Sequence, residues 1–277
     1  MTVKIAFQGE LGAYSHEACV RARPDMDPLP CKSFEEVIEA VRSGAASLAM
    51  LPVENTTYGR VADIHRLLPG SGLHIIDEAF VRVRICLMAP KGTALDDIKI
   101  VRAHPVLLPQ CHTYLATNNI RGESAVDSAG AAAELAASPE PGVGVLASEM
   151  AAKTHGLDVL VRGIEDNDTN TTRFLIMSPQ ADLSRRGDTH MITSFVFRVR
   201  NLPAALYKAM GGFATNGINM TKLESYMVDG EFTATQFYAD IAGHPEDTNV
   251  QHAMEELGFF TSEIKVLGTY PAAFARD

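Results

Sequence analysis

Leu73-His74-Ile75-Ile76-Asp77-Glu78-Ala79-Phe80-Val81-Arg82-Val83-Arg84-Ile85-Cys86-Leu87-Met88-Ala89 is strand-like almost without a break. A typical strand spans about five to six residues, so this run is too long for one ordinary strand in one sheet. It is expected to cross between two lobes, with the chain returning near Leu157–Arg162 and a cleft left between them.

The sequence before the crossing alternates strand and helix. Val3–Phe7 reads as a strand and Ser15–Arg23 as a helix. Ser33-Phe34-Glu35-Glu36 has capping-box form, with Ser33 placed for the N3 amide and Glu36 placed to reach back. The helix it opens is expected to stop at Gly44. A buried strand at Leu48–Val53 and a helix at Arg60–Leu68, ended by Pro69-Gly70, come next. Beyond the crossing, strands are expected at Lys99–Ala103, Ile120–Val126 and Val143–Leu146, with helices at Val106–Thr117 and Ala129–Ala137. Repeated βα units imply an α/β domain with largely parallel sheets.

Ser178 to Asp188 is polar and aperiodic, as a linker is. A compact pattern follows it. Ser194–Arg200 alternates as a strand, Ala204–Thr215 is helical, and Ile218–Met227 and Phe232–Ile241 are strands joined through Asp229-Gly230, a hairpin signal. A helix at Glu246–Leu257, closed by Gly258, and a strand at Ile264–Gly268 complete the order βαββαβ of a ferredoxin-like unit.

Composition narrows the function. The 277 residues carry 24 Lys and Arg against 34 Asp and Glu, a net charge of −10, whereas nucleic-acid binders usually show a basic face. No apolar run approaches the ~20 residues of a membrane span, and no secretory h-region follows the first strand, so a cytoplasmic address and no membrane partner are expected. Cys19, Cys31, Cys86 and Cys111 stand singly and read as buried hydrophobes. The histidines form no H-x-x-x-H or H-E-x-x-H pair, and neither a P-loop nor a G-x-S-x-G elbow is present, so no metal or organic cofactor is expected.

Four polar segments lie where strands should end. Gln8-Gly9-Glu10-Leu11-Gly12-Ala13-Tyr14-Ser15-His16 is either a plain tight turn or a glycine-spaced cradle for an anion at a helix start. Pro52-Val53-Glu54-Asn55-Thr56-Thr57-Tyr58-Gly59-Arg60 is either a helix cap or a ligand-binding rim at the carboxyl end of a strand. Asn167–Phe174 is either a solvated loop or a row of amides and hydroxyls with one guanidinium, whose planar fork suits a carboxylate. Ala103-His104-Pro105 through Gln110-Cys111-His112 is either structural or contributes a titrating imidazole.

Taken in order, these segments resemble the prephenate dehydratase family, matching its Gln-Gly-x-x-Gly-x-x-Ser, Pro-Val-Glu-Asn-Ser/Thr-x-x-Gly, Ala-His-Pro…Gln-Cys and Asn-x-Thr-Arg-Phe segments. Asn219-x-Thr221-Lys222-x-Glu224-Ser225 resembles the family's ACT domain. No chorismate mutase region precedes the catalytic domain, so the monofunctional form is expected. The resemblance implies an α/β chain: a two-lobed, periplasmic-binding-protein-like catalytic domain followed by a ferredoxin-like βαββαβ ACT domain. Expected boundaries are 1–182 (lobes about 1–76 plus 160–182, and 77–159), a linker at 183–190 and the ACT domain at 191–277. The implied reaction converts prephenate to phenylpyruvate, carbon dioxide and water in L-phenylalanine biosynthesis, without a cofactor.

By this resemblance Thr172 is the catalytic residue, donating a hydrogen bond to the leaving hydroxyl. Arg173, with backbone amides near Gly12–Ser15, is expected to hold carboxylate. Asn55, Thr56 and Asn170 would orient the ring and its hydroxyl, and Glu54 or His104 would supply the proton. Thr57, Gly59, Gln110 and Phe174 complete the expected substrate contacts. A chain of charge −10 can still hold a dianion. Exposed charges beyond a Debye length of ~8 Å are screened, while one Arg at about 4 Å and an effective dielectric near 20 attracts by roughly 4 kcal/mol.

In the ACT domain, Asn201, Ala205, Leu206, Asn219, Glu224 and Ser225 are the expected contacts for the effector L-phenylalanine. Ala204 adds a methyl where the family has Gly, Tyr226 replaces a cation, and Met227 replaces a proline, departures that weigh against feedback inhibition. Paired ACT sheets imply a homodimer or homotetramer. The rival functions are arogenate dehydration and a non-catalytic small-molecule sensor.

Overall fold

A computed structural model describes residues 3–184, 190–200, 202–227 and 234–274. Its elements in chain order are β1 (Lys4–Gln8), α1 (Tyr14–Ala22), β2 (Asp27–Cys31), α2 (Phe34–Arg42), β3 (Leu48–Asn55), β4 (Gly59–Arg60), α3 (Ala62–Leu67), β5 (His74–Arg82), β6 (Cys86–Ala89), β7 (Ile100–Ala103), α4 (His112–Thr117), β8 (Arg121–Ser124), α5 (Ser128–Ala137), β9 (Val143–Ala147), α6 (Glu149–His155), β10 (Asp158–Arg162) and β11 (Thr171–Ser178). They continue with β12 (Met191–Val199), α7 (Ala205–Thr215), β13 (Met220–Met227), β14 (Ala234–Ala242), α8 (Thr248–Phe260) and β15 (Thr261–Pro271).

The chain forms two compact units. One holds the residues up to Val61 with Ala79–Phe174; the other holds Ala62–Glu78 with the chain from Leu175 onward. Residues 62–78 thus group with the C-terminal chain, an association that the sequence does not announce.

The first unit carries two sheets. In one, β1 is flanked by β2 and β3, both parallel to it, and β11 lies beside β3. The other has the order β10-β6-β9-β7-β8. Its β7 runs parallel to β8 and β9, whereas β6 runs antiparallel to β9 and β10. The parallel expectation therefore holds for the βα units and fails at β6 and β10, the strands that enter and leave this sheet. The long run quoted above breaks into β5 and β6 at Val83–Ile85. There it pairs with the returning chain: Val83 N donates to Asn170 O (2.8 Å) and Ile164 N to Ile85 O (3.1 Å).

Local signals explain most boundaries. Ser33 Oγ accepts from Glu36 N, while the Glu36 carboxylate takes the Lys32 amide, one residue before the one expected. Strand β2 contains Pro28 and Pro30, tolerated because β2 pairs only with β1 at the sheet edge. The helix expected from Val106 begins only at His112, after a 3-10 turn at Leu108–Cys111 that contains Pro109. Helix α6, capped by Ser148, lay outside the sequence reading.

In the second unit, β12, β14, β13 and β15 form an antiparallel sheet of order β13-β14-β12-β15. Phe195, Phe197, Phe213, Phe237, Val250 and Leu257 make the core between this sheet and the helices α7 and α8. Helix α8 runs through Gly258 to Phe260, beyond the expected stop. The Asp229-Gly230 turn and most of the linker lie outside the described residues.

Candidate active site

Strands β3 and β11 end the first sheet with two polar segments side by side. Thr56 N donates to Thr171 O (3.0 Å), and Thr171 N returns to Thr56 Oγ1 (2.9 Å). This register brings Asn55, Asn170 and Thr172 together. Asn55 Oδ1 accepts from the backbone N–H groups of Thr57 (2.9 Å) and Tyr58 (3.0 Å). Those amides can only donate, so the Asn55 side chain has one orientation. Its Nδ2 then donates to Asn170 Oδ1 (2.6 Å) and Thr172 Oγ1 (3.0 Å).

The direction continues through the chain of amides. Asn170 is 2% exposed, and its Nδ2 donates to Gln110 Oε1 (2.6 Å). Gln110 Nε2 donates to Val106 O (2.8 Å), an atom that can only accept. Every group from Val106 to Thr172 therefore has its donor and acceptor ends assigned. Because the Thr172 oxygen already accepts from Asn55, its own O–H is free to be offered to another acceptor.

Arg173 leaves β11 on the other side. Successive strand residues point to opposite faces, and Arg173, 3% exposed, donates from Nη1 to Glu54 Oε1 at 2.8 Å. Thr172 pairs with Asn55, and Arg173 with the preceding Glu54. Phe174 is buried in the core and Thr57 is exposed. Gly59, at φ 76°, opens β4, which folds back on Glu54 and Asn55.

The first and fourth segments meet at a cavity of about 270 Å³ lined by Gly12, Tyr14, Ser15, His104, Ser128 and Ser148, among others. Ser15, Ser128 and Ser148 lie at or beside the starts of α1, α5 and α6. Three helix N-termini converge there, each bringing partial positive charge and first-turn N–H groups. The Gly12 amide is spent on His16 Nδ1 (2.9 Å), and His155 Nε2 donates to Leu11 O (2.9 Å). Burial, reinforced by His155, lowers the His16 pKa. A Cβ on Gly12, at φ 98°, would stand 2.7 Å from Ala151 Cα, so only glycine fits. His104 Nδ1 accepts from Val106 N (3.2 Å), and Tyr58 OH donates to Val106 O (2.9 Å). The 104–110 loop thus joins the cavity to the amide relay.

Tyr58 and His16 fall within the polar segments read from the sequence but had no role assigned, and Asp127, Ser128 and Ser148 lie outside those segments. Asp127 reads as a cap in hindsight, and its carboxylate does cap α5; nothing local indicates which cavity that helix faces. A larger cavity, about 470 Å³, lies by Glu17, Arg21, Glu149 and Arg162 and holds none of the predicted site residues. Its Arg21–Glu17 and Arg162–Glu149 pairs satisfy one another. Burial pushes the thiols of Cys19 and Cys111 up to about 12, which leaves them protonated at neutral pH. Among the described residues, no cluster of His, Cys, Asp and Glu could hold a metal ion, and no helix is long and apolar enough to cross a membrane.

Of the expected effector contacts, Ala205 and Leu206 open α7, Asn219 precedes β13, and Glu224 and Ser225 lie on β13, where Lys222 Nζ meets Glu224 Oε1 at 3.3 Å. Asn201 lies outside the described residues.

A cavity bordered by three helix starts is thus joined by one loop to the Thr172 hydroxyl, which accepts from Asn55. The comparisons specify the class. The prephenate dehydratase family model matches residues 5–182. The chain is 46% identical over 270 residues, covering 97% of it and 96% of its relative, to a bifunctional N-acyl-homoserine lactone acylase/prephenate dehydratase of Komagataeibacter europaeus. It is 37% identical over 288 residues to arogenate dehydratase/prephenate dehydratase 1 of Arabidopsis thaliana, covering 99% of this chain and 73% of that protein. The structure of prephenate dehydratase from Arthrobacter aurescens in complex with L-Phe superposes with a TM-score of 0.87 at 29% identity, covering 99% of this chain and 93% of that one. The chain belongs to the prephenate dehydratase family.

Proposed function

We propose that the protein is a prephenate dehydratase, a carbon–oxygen lyase that converts prephenate to phenylpyruvate in phenylalanine biosynthesis. The observation that carries this reading is the fixed Asn55 amide, which donates to Thr172 Oγ1 and leaves the Thr172 proton available. In prephenate the bond from the ring to its carboxylate breaks, its electrons aromatise the ring, and the C–O bond to the ring hydroxyl breaks. The products are phenylpyruvate, carbon dioxide and, once the leaving hydroxide takes a proton, water. Thr172 polarises the departing hydroxyl; a free alcohol is too weak an acid to transfer its proton outright.

The dianion is held by the N-terminal amides of α1 and α5 and by the Ser15 hydroxyl, with His104 at the rim. Arg173 enters as the anchor of the Thr172 strand through Glu54, in place of direct carboxylate contact. The catalytic domain is assigned to 1–182, the linker to 183–190 and the ACT domain to 191–277. L-phenylalanine is the effector proposed for that domain, with Ala205, Leu206, Asn219, Glu224 and Ser225 among its contacts. A cytoplasmic homodimer or homotetramer completes the proposal.

Incubation with prephenate and, separately, with arogenate tests the reading. Phenylpyruvate formed faster from prephenate supports it; faster phenylalanine formation from arogenate replaces it with arogenate dehydration; no product from either leaves a sensor. The near-full-length match to a bifunctional relative favours one second reading, hydrolysis of N-acyl-homoserine lactones. Release of homoserine lactone from such a substrate would establish it.

A further inference from the structure

The residues between Asn55 and Gly59 form a tight tip. Asn55 Oδ1 takes the amides of Thr57 and Tyr58, and Gly59 and Arg60 pair back onto Asn55 and Glu54. Tyr58 is half-exposed, yet its backbone is fixed by these bonds. Its phenol reaches the loop after β7, where Tyr58 OH donates to Val106 O (2.9 Å). The same carbonyl accepts from Gln110 Nε2 (2.8 Å). A carbonyl oxygen has two lone pairs, so Val106 O is saturated. All of these residues belong to the first unit.

These bonds close a ring. From the Tyr58 amide the path runs to the Asn55 side chain, through Asn170 to Gln110, from Gln110 to Val106 O, and back along the phenol to Tyr58. Its polarity is fixed at both ends, by a backbone N–H that only donates and a carbonyl that only accepts. No member of a closed, fully satisfied ring can rotate without giving up a bond on either side of it. The Val106 peptide also holds His104. Val106 N donates to His104 Nδ1 (3.2 Å), and Leu107 N donates to His104 O (2.8 Å). His104 lines the 270 Å³ cavity, whereas Tyr58 does not.

We propose that Tyr58 is a positioning residue for the dehydration: its amide and its phenol clamp the two ends of the relay, and so fix the Asn55 amide against Thr172 Oγ1 and hold the loop that carries His104. Tyr58 acts through these neighbours and transfers no proton. Loss of its hydroxyl frees one lone pair of Val106 O. The Val106 peptide then turns about the remaining Gln110 bond, Gln110 Oε1 shifts relative to Asn170 Nδ2, and the displacement passes through Asn55 to Thr172. The kinetic part of this inference rests on the dehydratase reading; the structural part does not.

Tyr58→Phe removes the hydroxyl and keeps the ring. In the full chain, hydrogen exchange at the Val106 and Leu107 amides should accelerate by about fivefold, the net contribution of one neutral hydrogen bond. On prephenate, kcat should fall by about fivefold with KM held within about twofold. A double-mutant cycle tests the route. Gln110→Ala lowers kcat by itself, and adding Tyr58→Phe should then cost less than about twofold, because the two side chains act through one carbonyl. If Gln110→Ala does not fold, Gln110→Glu takes its place: it keeps an acceptor for Asn170 and loses the donor to Val106 O. Wild-type exchange at both amides, or an unchanged kcat in Tyr58→Phe, overturns the inference, as does a full kcat loss on the Gln110 variant background. A wild type with no turnover would sink the dehydratase reading and leave the exchange result to decide whether Tyr58 closes the ring.

Discussion

Asn55 Nδ2 donates to Thr172 Oγ1 at 3.0 Å across 117 residues of chain. The Asn55 carbonyl oxygen is held by two backbone amides, so the side chain cannot flip to accept from Thr172 instead. A hydroxyl has one proton and two lone pairs; with a lone pair engaged by Asn55, the proton is left for another acceptor.

Thr172→Val removes that proton and little volume. Turnover of prephenate should fall by about 10²–10⁴, the range for a positioned proton donor, while KM changes little. Steady-state kinetics decide the point, and retained kcat would end the role of Thr172.

Asn55→Asp keeps the shape and reverses the donor. A carboxylate would then face Asn170 Oδ1 and Thr172 Oγ1, to which Asn55 now donates. Beyond lost turnover, the half-buried mismatch should cost about 1–3 kcal/mol of stability. A urea midpoint equal to that of wild type would contradict the assigned polarity.

Arg173→Met should act first on stability. Removing one member of a buried pair typically costs about 3–5 kcal/mol, and Glu54, with 29% of its side chain exposed, points to the lower end. Adding Glu54→Leu should recover part of the loss. A stable single variant whose only defect is weaker substrate binding would instead favour direct carboxylate contact.

His16 gives stability a pH dependence. Its folded pKa is lowered, chiefly by burial and then by His155, so the unfolded chain takes up the proton first as pH falls. The contribution is present above the unfolded value of about 6.5 and is lost as pH drops toward the lower folded value. Protonation at Nδ1 also breaks the bond from the Gly12 amide. Glu17, raised by burial, acts with the opposite sign. The measurement is therefore the difference between wild type and His16→Gln in denaturant midpoints at pH 7 and pH 5. The variant should lose less on acidification.

Ala204 sits in left-handed backbone at φ 59°. The Cβ costs roughly 1–2 kcal/mol in that region, so Ala204→Gly should stabilise the chain by about 1 kcal/mol and raise Tm. Calorimetry on the same variant would also show whether the methyl weakens L-phenylalanine binding.

Much of the architecture was readable from local pattern. Val3–Phe7, apolar but for Lys4, and the apolar run Leu48–Val53 form parallel strands; Ser33 and Glu36 mark the start of α2; the βαββαβ order of the tail is written in its alternation and helical stripes. Failures came where neighbours overrule composition. Pro28 and Pro30 argue against a strand, yet sit harmlessly in β2 at a sheet edge. Gly258 looks like a stop, but α8 continues through it to Phe260.

The site divides in the same way. Gln8–Ser15, Glu54–Gly59, His104–Gln110 and Asn170–Phe174 announce themselves as polar segments at strand ends, because such a signal needs only residues adjacent in the chain. Only the tertiary structure decides that Asn55, Asn170, Gln110 and Thr172 share one directed set of hydrogen bonds, that Arg173 turns away to Glu54, and that Ala62–Glu78 lies with the C-terminal sheet. Periodicity and capping act over three or four residues, whereas the partner of a side chain 60 or 117 residues distant is set by strand register, which no short stretch contains.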